Sequence, residues 1–122
     1  MNKTKPYDNE NIFAKILRKE AKAEVVYETK NVLCFNDMYP KAPVHILIIP
    51  KGRFKDINDF SKNANAEQKI EIFESFKVLI DKFKLNENGC RILTNFGDNG
   101  RQEVPHLHFH LVGGKDVGRM FN

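Results

Sequence analysis

The sequence predicts an α+β domain in which a five-stranded antiparallel sheet packs against one long and one short helix. Three observations predict it. Five apolar runs of strand length recur along the chain. Short loops join several of them, which favours antiparallel neighbours because a parallel pair needs a long crossover. One stretch, residues 65–84, changes its apolar spacing to three and four residues, the period of a helix.

Residues 1–8 read as a flexible N-terminus. Asp8 and Asn9 are placed to cap a short helix, in which Ile12, Phe13 and Ile16 share one face. Lys15, Arg18 and Lys19 suit its C-terminal end. Strands follow over 23–28 and 32–36, split by Thr29-Lys30-Asn31 as a hairpin loop. Residues 38–43 carry Pro40 and Pro43 and read as a loop. A strongly apolar strand over 44–49 is stopped by Pro50. In the long helix, Ile70, Phe73, Phe76, Ile80 and Phe83 form the packing face, and Gly89 marks its end. A strand over 90–94, a polar loop over 95–101 and a last strand over 104–112 complete the sheet. Gly113 and Gly114 close that strand, and residues 115–122 form a tail.

A chain of 122 residues fits one domain, here residues 1–122, without repeats or linkers. No apolar run approaches the ~18 residues of a membrane span, and the start lacks a signal peptide's apolar core, so a cytoplasmic protein is expected. Cys34 and Cys90 sit in apolar strands without Cys-x-x-Cys spacing and are expected to be reduced thiols. The net charge of +4 is spread along the chain with acids interleaved. That pattern argues against nucleic acid as partner and suits attraction of small phosphate-bearing molecules.

Three of the four histidines fall in the run Pro105-His106-Leu107-His108-Phe109-His110-Leu111. On a strand, His106, His108 and His110 line one face and Leu107, Phe109 and Leu111 the other. Nothing in folding asks for three imidazoles in register, whereas His45 alone could equally be structural. Two chemistries fit. Three His ligands could hold a zinc ion with an open position, but i, i+2 and i+4 side chains spread over roughly 13 Å of strand, and each ligand must come within ~2.1 Å of the metal. Alternatively, a neutral imidazole, titrating near pH ~6.5, attacks phosphorus while its neighbours contact the phosphate oxygens or leaving group.

These residues also carry a resemblance. The run from Val104 to Gly114 resembles the signature of the histidine-triad superfamily, three histidines alternating with apolar residues. Asn11-Ile12-Phe13-Ala14-Lys15-Ile16, Phe35-Asn36-Asp37, Ala42-Pro43-Val44-His45 and Ile48-Ile49-Pro50-Lys51 look like further blocks of its Hint branch, in order, over residues 9–114. The resemblance implies a HIT-like fold and a homodimeric, metal-free, cofactor-free hydrolase of purine nucleoside phosphoramidates, with AMP or GMP conjugates as ligands. It implies that His108 attacks the α-phosphorus to give a nucleotidyl-histidine, which water then hydrolyses. His110 would contact the phosphate and assist the leaving group. His106 would orient His108 through its backbone carbonyl, and His45 would hydrogen-bond within the cluster. Asn95, Gln102, Glu103 and Val104 would form the phosphate side. Asp37 would take the ribose hydroxyls, and Ile12, Phe13, Ile16, Phe35 and Met38 the base. Glu103 departs from the Gly-Gln-Ser of many relatives, and the tail is short, which leaves the leaving group open. A dinucleoside polyphosphate hydrolase and a non-enzymatic nucleotide-binding adaptor are the competing functions.

Overall fold

Alternation along the two central strands sorts their side chains onto opposite faces of one sheet. The computed structural model describes residues 5–121. Its elements run α1 (Ile12–Leu17), β1 (Val25–Glu28), β2 (Val32–Asn36), β3 (Val44–Pro50), α2 (Ile57–Asn63), α3 (Ala66–Lys82), β4 (Cys90–Thr94) and β5 (Phe109–Gly113). The strands pair antiparallel throughout in the order β1-β2-β3-β5-β4. The predicted α+β class and five-stranded antiparallel sheet are present. Among the described residues, no helix is long and apolar enough to cross a membrane.

Val32, Cys34, Ile46, Ile48 and Leu111 face α3, where Ile72, Phe76 and Leu79 cover them; this is the principal core. Leu33, Phe35, Leu47 and Ile49 face the opposite side and pack with Phe13 of α1. A helix of only six residues covers that side in part. The uncovered remainder is the wall of the cavity described below.

Four features differ from expectation. The cap of α1 is Asn11, whose side chain accepts from the Ala14 N–H, while Asp8 caps the preceding turn through the Glu10 N–H. A third helix, α2, stands on Asp56, whose carboxylate accepts from the Asp59 N–H. The buried stripe of α3 is Ile72, Ser75, Phe76 and Leu79, which leaves Ile70 and Phe73 exposed.

The last difference concerns the histidine run. It is not one strand from 104 to 112: β5 begins only at Phe109. The β3–β5 register pairs Ile48 with Phe109, which sets Pro50 opposite Leu107, and proline has no N–H to give the ladder. The Leu107 N–H bonds the Phe54 carbonyl instead, and the Thr94 hydroxyl takes the His108 carbonyl at 2.7 Å. Of the three histidines, only His110 lies on a strand.

Residues 1–4, part of the N-terminus read as flexible, and residue 122, the end of the tail, lie outside the described residues. Within the N-terminal segment that is described, the Tyr7 hydroxyl meets His106 and the Lys5 carbonyl accepts from Lys55.

Candidate active site

Register brings the first two imidazoles together. His45 pairs with Val112, and Leu47 with His110, so both histidines project to the α1 side of the sheet. The Lys41 backbone N–H donates to His45 Nδ1 at 3.0 Å. The proton of neutral His45 is therefore on Nε2, which donates to His110 Nδ1 at 2.9 Å. That in turn leaves the proton of neutral His110 on Nε2. Backbone geometry thus sets two tautomers in series.

His108 is set separately. Its Nδ1–H donates to the His106 carbonyl at 2.8 Å, so Nε2 keeps its lone pair. The ring is packed edge-on by Phe13, with centroids 4.9 Å apart, and lies 5.2 Å from the His110 ring. His106 itself turns inward. Its Nε2–H donates to the Pro50 carbonyl at 2.9 Å, and its imidazole is completely buried. The expectation of three imidazoles in one row is corrected to two imidazoles at the cavity, His108 and His110, with His45 joining from β3 and His106 behind them.

All four rings are held neutral. Burial pushes each below the ordinary imidazole value, His106 and His110 to about 4. For His110, the neighbouring His108 and His45 reinforce the effect. Asp37 Oδ2 lies 3.4 Å from His45 Nε2. With His45 neutral this is a weak secondary acceptor for the same proton, and the shorter contact to His110 dominates.

The cavity in front of these rings has a volume of about 1110 Å³ and is lined by His45, His108 and His110. Ile12, Phe13 and Ile16 from α1, Phe35 from β2 and Met38 from the following loop supply its apolar wall. Asp37 also lines it; Oδ1 accepts from the Tyr39 N–H at 2.8 Å, and each carboxylate oxygen retains a lone pair for a ligand. Asn95, Arg101 and Glu103 form a polar wall, and Val104 lines the cavity as an apolar side chain. One Asn95 amide hydrogen is used on the Gly100 carbonyl, and one remains. A Cβ at Gly100 would collide with the Phe96 carbonyl, so only glycine lets this loop close.

Gln102 is not on the cavity wall. Its Nε2 donates to the carbonyls of Lys55 and Val104, and its Oε1 accepts from the Gly97 N–H. Both donors are spent within the chain, so Gln102 braces the loop. Sequence reasoning passed over the side chains of Tyr39 and Arg101, which line the cavity, and Tyr7 behind it. Polar or aromatic residues in loops carry no periodic signal that would mark them.

Asp37, His45 and His110 each offer a ligand atom within 4.8 Å of the others. The donor chemistry does not suit a metal there. His45 Nδ1 is committed to the Lys41 N–H, so Nε2 carries a hydrogen where a ligand needs a lone pair. The trio is wired as a hydrogen-bond relay.

Comparison with known proteins bears on the family and the fold. The profile of the HIT domain matches residues 18–117. An uncharacterized 13.2 kDa HIT-like protein of Azospirillum brasilense is 43% identical over 116 residues, 95% of either chain. The purine nucleoside phosphoramidase of Escherichia coli K12 is 38% identical over 112 residues, 91% of this chain and 92% of that one. Among solved structures, a HIT family hydrolase from Clostridium thermocellum superposes with a TM-score of 0.83 at 34% identity, covering 93% of this chain and 97% of that one.

Proposed function

This chain belongs to the HIT domain family, and from that premise we propose that it hydrolyses nucleoside 5′-phosphoramidates, or related nucleoside monophosphate conjugates, through a nucleotidyl-histidine on His108. The observation that carries the proposal is the Nδ1–H bond from His108 to the His106 carbonyl. It leaves the cavity-side ring with an unprotonated Nε2, and burial keeps it so near neutral pH.

In the first step Nε2 attacks the α-phosphorus and the P–N bond breaks, and the bridging nitrogen, protonated from solvent, departs as the amine. The cationic ring so formed shares its Nδ1 proton with the His106 carbonyl. His110 Nε2–H serves the phosphate oxygen and the departing nitrogen, held in place by the relay from Lys41 through His45. Water then attacks phosphorus and loses a proton to solvent, the N–P bond breaks, His108 Nε2 regains its lone pair, and the nucleoside monophosphate leaves. The remaining Asn95 amide hydrogen and the Arg101 guanidinium supply donors for charge building on oxygen.

The apolar wall from α1 and β2 receives a flat purine, and Asp37 the ribose hydroxyls. Hydrogen bonds to a charged group contribute ~1.5–3 kcal/mol. Asp37→Ala is therefore expected to raise KM on the order of 10- to 100-fold for a ribonucleotide substrate. It should leave KM for the 2′,3′-dideoxy analogue nearly unchanged, so steady-state kinetics on both sugars checks the assignment.

The exposed edge of β4 and the uncovered apolar side chains near it support a homodimer. Phe73 meets Phe76 edge-on, Phe76 meets Phe109 likewise, and Phe109 pairs with Thr94 of β4. Ile92 and Phe96 are exposed beside them. A second copy placed here would pair the open strand edges and cover these groups.

The test of the reaction is a side-by-side rate comparison on an adenosine phosphoramidate and a diadenosine polyphosphate. Faster release of AMP from the phosphoramidate is the expected result. Preference for the polyphosphate, or nucleotide binding with no turnover of either compound, would overturn it.

A further inference from the structure

His106 poses a problem that the reaction scheme does not solve. Its carbonyl orients His108, yet nothing in that bond holds the His106 ring in place. The Pro50 carbonyl, 2.9 Å from His106 Nε2 and able only to accept, requires the proton there. With the proton on Nε2 the contact is a hydrogen bond. With the proton on Nδ1 two lone pairs would face each other in a buried site, and residue 106 would have to move, taking its carbonyl with it.

The Tyr7 hydroxyl lies 2.6 Å from His106 Nδ1. Its ring meets the imidazole edge-on, with centroids 5.6 Å apart at 72°. A phenolic hydroxyl can donate or accept; with the Pro50 carbonyl holding the proton on Nε2, it donates to Nδ1 and pins the other edge of the ring. The segment carrying Tyr7 is itself tied down. Lys55 Nζ donates to the Lys5 carbonyl, and the Lys55 carbonyl accepts from Gln102, which leads into the histidine run. Neither Tyr7 nor His106 lines the cavity.

We propose that Tyr7 is a positioning residue for the phosphoryl-transfer centre: its hydroxyl pins the His106 ring from the Nδ1 side, opposite the Pro50 carbonyl, and thereby fixes the backbone carbonyl that aligns His108. The effect on rate rests on His108 being the nucleophile; the effect on the imidazoles does not. Because Tyr7 is not on the cavity wall, its loss is expected to act on chemistry and not on binding.

The test is Tyr7→Phe in the full chain, which keeps the packed ring and removes only the hydroxyl. Two readouts are needed: steady-state kinetics on an adenosine phosphoramidate, and ¹⁵N spectra of the histidine side chains. The expected result is a kcat lower by on the order of tenfold with KM unchanged. In the spectra, His106 Nδ1 should lose its hydrogen-bonded shift and the His108 Nδ1–H signal should move. Unchanged His106 and His108 resonances overturn the proposal whatever the rate does, as does an unchanged kcat in an otherwise active enzyme. If the unsubstituted protein turns over no phosphoramidate, the reaction assignment fails, and the spectra alone decide the role of Tyr7.

Discussion

Replacing His108 by alanine is expected to lower kcat by more than about 10³-fold, equivalent to ~4 kcal/mol of barrier. The loss is large because no neighbour can take over. His110 has Nδ1 occupied by the His45 proton and carries its own proton on Nε2, so it presents no lone pair to phosphorus. His45 has its Nδ1 lone pair committed to the Lys41 N–H, and His106 is buried behind the cavity. Binding should survive, since Asp37 and the apolar wall from α1 and β2 are untouched. Single-turnover kinetics, paired with titration of AMP into the variant, separates the two effects. A variant that cleaves at close to the unsubstituted rate would remove His108 from the mechanism.

Acidification is expected to cost about 3 kcal/mol of folding stability between pH ~6.5 and ~4 through His106 alone. Its imidazole is completely buried, and burial, reinforced by the nearby His108, pushes it down to about 4. In the unfolded chain the same ring titrates near 6.5. As pH falls below that value the unfolded state takes up a proton that the native state refuses, and stability drops. The drop is absent above pH ~6.5 and is complete once the native ring also protonates, below about 4. Urea unfolding at several pH values across this window measures it. A His106→Gln variant, which has no titrating ring, should show a shallower decline; an equally steep one would assign the effect to other groups.

Much of the architecture was legible because it is local. The bounds of β2 and β4 match expectation to the residue, since each is an apolar run between turn residues. The failures have non-local causes. Helix α2 has seven residues with Ile57 and Phe60 as its apolar side chains, too few for a period to show, although Asp56 and Asp59 offered a capping signal. Alternation in the histidine run continues past the end of the ladder, because what halts pairing is Pro50 on another strand. In α3 the apolar arc is wider than the buried stripe, and pattern alone cannot tell Phe73, exposed, from Phe76, buried.

The site divides the same way. The histidines stand out by residue type and spacing, and Asp37 through the resemblance of the block that carries it. The roles of Tyr7 and Gln102 depend on partners 99 and 47 positions away, which no window along the chain contains.

The two faces of the sheet have unequal cover, and this separates two kinds of evolutionary change. The cavity is lined from α1, the loop after β2 and the loop before the histidine run, while the larger share of the core lies beneath α3. Drift in substrate preference can therefore accumulate on one face while the other conserves the fold, so a lineage could acquire new conjugates without first having to become more robust.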